Sequence, residues 1–86
     1  RWNLLTEKFS HLLEKFSAEA PGAVQQATGR LAELTADFLE ASRKQDFLAQ
    51  DELVRAAEEA LTQFVRTLRR SRPDDCDFQA RISASL

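Results

Sequence analysis

The chain has no tyrosine and no methionine, one cysteine, one histidine, two glycines and two prolines among 86 residues. Each shortage removes a class of explanation. A single thiol, Cys76, cannot form an internal disulfide, so the expected setting is a reducing, intracellular and cytoplasmic one. His11 has no second His or Cys three or four residues away, so a metal site lacks partner ligands and no cofactor is expected. The two glycines are isolated and cannot form a phosphate-cradling loop. No apolar run approaches the roughly 20 residues of a membrane span, and no signal peptide is visible. A basic excess is also missing. Twelve Lys and Arg face 14 Asp and Glu, for a net charge of −2. That balance argues against a general binder of nucleic acid or anionic membrane.

What is present is helical patterning. Ala, Leu, Glu, Arg and Gln are frequent, all good helix formers. At 43% hydrophobic residues the composition suffices for one core in one domain. Glu-Lys-Phe-Ser occurs at 7–10 and again at 14–17. Seven residues are two helical turns, so Phe9 and Phe16 share a face. The same face takes in Trp2, Leu5 and Leu12. Asn3 is the expected N-cap of this first helix, and Ala20-Pro21-Gly22 its stop. Pro21 also suits the first turn of the next helix.

A second helix is expected from Val24, Ala27, Leu31, Leu34, Phe38 and Ala41, ending near Arg43-Lys44. Gly29 lies inside it, at a cost of about 1 kcal/mol relative to alanine. It reads as a tolerated weak spot or a close helix contact, with a hinge as the alternative. Asp46 is the expected cap of a third helix with the seam Phe47, Gln50, Val54, Ala57, Leu61, Phe64 and Leu68. Leu53, Ala60 and Val65 widen that stripe, as a helix with two neighbours requires. Acidic residues crowd its start, and Arg66, Arg69 and Arg70 its end, each matching the helix dipole. Beyond Pro73, Asp74-Asp75 offers a fresh cap. Phe78, Ile82 and Leu86 then follow at four-residue steps. So short a helix must dock or stay disordered.

The fold class expected is all-α. Residues 1–72 are expected to form an antiparallel up-down-up three-helix bundle, and residues 73–86 either a C-terminal tail or a short fourth helix. An extended coiled-coil hairpin that dimerises is the competing architecture. The breaks at 20–22 and 42–46 favour the compact form.

Chemistry is sparse. His11 and Cys76 sit on different segments with no third group, so no nucleophilic pair is assembled. Paired acids such as Glu58/Glu59 read as solvated partners at helical spacing. No enzyme is expected. The arginines at 66–72 suit a helix end, a dock for an acidic partner, or a kinase site at Ser71, where a phosphate would oppose the dipole. Phe9-Ser10-His11-Leu12-Leu13 has the spacing of a groove-entering helix, but Phe9 and Leu12 are seam residues. Leu4, Leu39 and Leu48 are large, apolar and off the seams, with Leu13 on the border. Antiparallel connection would gather the first three at one end, as a contact patch. The expected function is therefore protein–protein interaction, with a partner's amphipathic helix or short motif bound by Leu4, Leu39, Leu48, Arg66, Arg69 and Arg70. The alternatives are a homodimerisation domain and a segment switched by phosphorylation near Ser71. Because the chain starts at Arg1 rather than methionine, it reads as a piece of a larger adaptor or scaffold.

Overall fold

The computed structural model describes residues 1–86. It has four α-helices and no strand: α1 (Trp2–Phe16), α2 (Pro21–Arg43), α3 (Phe47–Ser71) and α4 (Cys76–Ser85). No helix is long and apolar enough to cross a membrane.

Local chemistry sets most boundaries. Pro21 sits in the first turn of α2, and Ala20 before it is held outside helical geometry at φ −138°, ψ 62°, as a following proline ring demands. The end of α2 is a Schellman motif. The Asp46 N–H donates to the Ala41 carbonyl at 2.9 Å, and the Gln45 N–H to Ser42 at 3.1 Å. Gln45 carries the left-handed backbone this needs, at φ 55°. Asp46 then caps α3 by accepting from the Ala49 N–H at 3.0 Å, and Asp75 caps α4 by accepting from Phe78 at 3.0 Å.

Asn3 does not cap α1. The helix starts at Trp2, and the Asn3 carbonyl accepts the Thr6 hydroxyl at 3.2 Å. Tertiary contact outweighs the local preference. Trp2 stacks on Phe38 with centroids 4.2 Å apart, and Arg1 pairs with Glu58 at 2.8 Å. A cap is worth about 1 kcal/mol, and an aromatic pair about 0.5–1.5 kcal/mol beyond the area it covers, to which the half-buried rings of Trp2 and Phe38 add their apolar contact.

The main core joins Phe9, Leu12, Leu13 and Phe16 of α1 to Phe64 and Leu68 of α3 and to Phe78 and Ile82 of α4. Ala20 and Ala27 close it from the α2 side. Phe16 meets Phe78 edge-on at 5.4 Å. The tail is thus an ordered helix inside the core, although Leu86 at its tip stays exposed. Leu13 is buried, against its borderline place in the heptad reading, because α4 gives α1 a third neighbour beside α2 and α3.

Residue pairs give the helix directions. α1 and α3 run side by side in ascending order, with Phe9–Phe64 between them and Arg1–Glu58 and Glu19–Arg72 tying residues just beyond either end of α1 to α3 and its C-cap. α4 runs back along α1, from Phe16–Phe78 through Lys15–Ser85 to Lys8–Leu86. It therefore stops short of Leu5. Trp2, Leu5, Leu31, Phe38 and Leu61, expected in the core, are only half-buried, since α4 does not reach the level of the first turn of α1.

α1 begins beside Phe38 and Glu58. The end of α2 and the start of α3 project beyond it as a two-helix arm, by about 16 Å for residues 47–57 at 1.5 Å per residue. The long axis of the molecule is accordingly 46 Å, against 20 and 16 Å across. Within the arm, Leu34, Ala41, Val54 and Ala57 are buried but lie outside the main cluster.

Candidate interaction surface

The arm carries most of the exposed large apolar side chains. Leu39 is 61% exposed, Phe47 71% and Leu48 79%. Leu39 and Leu48 flank the short connection between α2 and α3. Leu4, 73% exposed, lies in the first turn of α1. It borders a shallow depression formed only by α1, with Glu7, His11 and Glu14 among its neighbours.

Phe47 corrects the sequence reading, which placed it in the buried seam of α3. It does stand in register with Val54, Leu61 and Leu68 at seven-residue steps. No third helix reaches its level, so the seam continues into solvent. The missed signal was length. A first helix of about 16 residues spans about 24 Å and cannot cover a third of about 25 residues, near 37 Å.

The arginine cluster divides. Arg69 donates to the Gln79 side-chain oxygen at 3.1 Å and to the Ser83 hydroxyl at 3.2 Å. The Gln79 amide returns bonds to the carbonyls of Arg69 and Arg72 at 3.0 and 2.9 Å. Arg69 therefore clamps α4 onto α3. Arg66 and Arg70 are exposed and make no ion pair or hydrogen bond through their side chains. Ser71 ends α3, exposed, with its hydroxyl donating to the Leu68 carbonyl at 2.6 Å.

A second clamp was invisible in the sequence. Arg81 donates both terminal N–H groups to the two oxygens of Glu19, and its Nε–H to Asp77. Arg72 and Arg81 both lie over the Phe78 ring, 5.5 and 5.6 Å from its centroid. Hydrogen bonding from Arg81 holds the Glu19 carboxyl below the usual range, against the opposing effect of desolvation. Glu40 is likewise lowered, by a hydrogen bond and charge from Arg43 and then by Lys44.

His11 and Cys76 are exposed on different helices, and no polar or charged residue is buried. No group of three His, Cys, Asp or Glu side chains is arranged to hold a metal. Gly29 is exposed, and a Cβ built there meets nothing within 4 Å. It marks no close helix contact.

Another concave feature is a groove between α2 and α3. Two adjoining depressions of about 400 and 500 Å³ share Arg30 and Ala56 and run from Ala23 and Thr67 to Lys44 and Asp46. No residue of α1 or α4 lines either one. No family model, curated protein or solved structure matches the chain.

Proposed function

We propose that the chain is a non-catalytic protein–protein interaction module. In this reading α1–α3 form an up-down-up bundle, α4 closes one end, and the α2–α3 arm presents the contact surface to a helix or short motif of a partner. The observation that carries it is the exposure of Leu39, Phe47 and Leu48 on an arm that no third helix covers. Leaving such side chains in water forfeits about 1.5–3 kcal/mol each relative to full burial. A partner recovers part of that. The ascending α1–α3 pairs and the returning α4 pairs support the bundle topology. The isolation of His11 from Cys76, and the engagement of both shifted carboxylates in ion pairs, support a non-catalytic role. A lone exposed thiol suits a reducing, cytoplasmic setting.

Homo-oligomerisation is the second reading, favoured by one detail. Phe47 continues the α3 seam in register, so a helix of a second copy could extend the packing. Sedimentation equilibrium separates the two. A monomer at all accessible concentrations supports hetero-interaction, and a dimer lost in Leu39→Gln/Phe47→Gln/Leu48→Gln supports self-association. For the first reading, binders selected from a displayed library of helical peptides should weaken about tenfold or more on that triple variant. Binders indifferent to it would place the contact surface elsewhere.

A further inference from the structure

We propose that the open groove between α2 and α3 is a docking site for a basic amphipathic helix. The inference rests on the interaction-module reading but uses a different surface from the exposed side chains of the arm.

Shape comes first. The groove follows the hairpin from Ala23 to Lys44, about 30 Å at 1.5 Å per residue. That length accommodates a helix of about 20 residues. Its floor is built from small side chains, Ala23, Ala27, Ala49, Ala56 and Ala60. Alanines leave room for another helix to approach closely, since side-chain size sets interaxial distance. The half-buried Leu53 adds apolar area to the floor, with the buried Leu34 and Phe64 beneath it.

Charge then selects the occupant. Five acidic residues border the groove, Asp37, Glu40, Asp46, Glu52 and Glu59, against Arg30 and Lys44. Both cations are already engaged, Arg30 with Glu33 at 3.5 Å and Lys44 with Glu40 at 3.4 Å. Asp37, Glu52 and Glu59 make no ion pair in the structure. The whole stretch 33–59 holds eight acidic and three basic residues, a net of −5, while the rest of the chain carries +3. An acidic rim around an apolar floor repels phosphate-bearing surfaces. It attracts a helix with an apolar stripe flanked by Lys and Arg.

The test uses the full chain and a synthetic helical peptide of about 20 residues, with an Ala/Leu stripe flanked by Lys and Arg. A twin peptide carries Glu at the basic positions. Fluorescence anisotropy should show the basic peptide binding about tenfold or more tighter than its twin. Its affinity should fall severalfold as salt rises from about 50 to about 300 mM. Glu52→Lys/Glu59→Lys should cost about tenfold or more and favour the acidic twin, with Asp37→Lys on the opposite rim acting likewise. Circular dichroism should show these exposed-site variants as helical as the parent. Leu39→Gln/Phe47→Gln/Leu48→Gln should leave the peptide affinity unchanged. Equal binding of both peptides, binding indifferent to the rim reversals, or no binding by either peptide would overturn the groove proposal. Loss only in the leucine–phenylalanine triple variant would also overturn it, while supporting the contact surface proposed for the arm. A homodimer abolished by Glu52→Lys/Glu59→Lys would assign the groove to a second copy and overturn it as well.

Discussion

The two ends of this molecule solve different problems with similar sequence. At the closed end α1, α3 and α4 bury four phenylalanines, Phe9, Phe16, Phe64 and Phe78, with the start of α2 completing the packing. At the open end two helices bury only Leu34, Ala41, Val54 and Ala57 between them and leave Leu39, Phe47 and Leu48 in water. The closed end is net positive and tied by two arginine clamps. The arm is net negative, with ion pairs that are mostly local. Stability is therefore concentrated away from the surface that would meet a partner. A protein built this way can change the side chains of its arm at little cost to its fold.

The largest expected effect tests that division directly. Phe64→Ala should cost about 3–5 kcal/mol in chemical denaturation, a large part of the stability of so small a domain. Phe47→Ala, the same chemistry on the same α3 seam, should change stability by no more than about 0.5 kcal/mol because the ring is already in water. Comparable losses at the two sites would erase the distinction between the ends.

Next in size are the clamps. Arg69→Ala removes two side-chain bonds to α4 and should cost about 1–3 kcal/mol, counting about 0.5–1.5 kcal/mol for each. Arg70→Ala, one position along and free of partners, should be nearly neutral. A thermal melt distinguishes them. Charge reversal at Arg69 would weaken the hold on α4, so any test of a basic docking patch belongs to Arg66 and Arg70. If Arg69→Ala matched Arg70→Ala, α4 would be held by Phe78, Ile82 and its remaining polar contacts, with no contribution from the Arg69 side chain.

The acid limb supplies a pH-resolved version of the comparison. Glu19 joins the α1–α2 connection to α4 and titrates below its ordinary value because Arg81 hydrogen-bonds its charged form. A lowered carboxylate stabilises the fold above its unfolded pKa, about 4.3, and that contribution is lost as pH falls through the lower folded value. Melting temperature should thus drop on acidification below about pH 5, and Glu19→Gln should flatten the slope. Glu40→Gln should flatten it less, since its partners Arg43 and Lys44 are neighbours on the same stretch of chain. Equal flattening would mean that the global clamp counts no more than a local pair.

How much of this was legible in the sequence follows from which interactions are local. Asp46, Pro21 and the stop after Arg43 were readable because caps and turns depend on a few adjacent residues. Phe9, Leu12, Phe16, Phe64 and Leu68 were readable because heptad spacing reports a shared face. Asn3 failed where a distant residue, Phe38, outweighed a cap. Phe47 failed because periodicity reports which face a residue occupies and not whether another helix reaches it. Leu13 failed because the placement of α4 depends on Phe78 finding Phe16. The exposure of Leu4, Leu39 and Leu48 followed from their off-seam positions. The groove and the Glu19–Arg81 clamp require knowing which helices lie side by side, and no single helix encodes that.

The smallest expected effects are two stabilising changes, one on α2 and one in the connection that follows it. Gly29 has a helical backbone, open surroundings and no packing role, so Gly29→Ala should add about 0.5–1 kcal/mol. Gln45 instead occupies a left-handed position at φ 55°. There a Cβ is strained by about 1–2 kcal/mol, so Gln45→Gly should stabilise the connection, offset in part by greater freedom of the unfolded chain. The two gains should differ in reach. Gly29 lies level with the main core, and its substitution should raise the global unfolding free energy. Gln45 lies at the tip of the arm, and its substitution should first slow amide exchange in residues 40–50. Equal and uniform protection from both would show that the arm and the closed end unfold as one unit, and the contrast between them would then be one of composition alone.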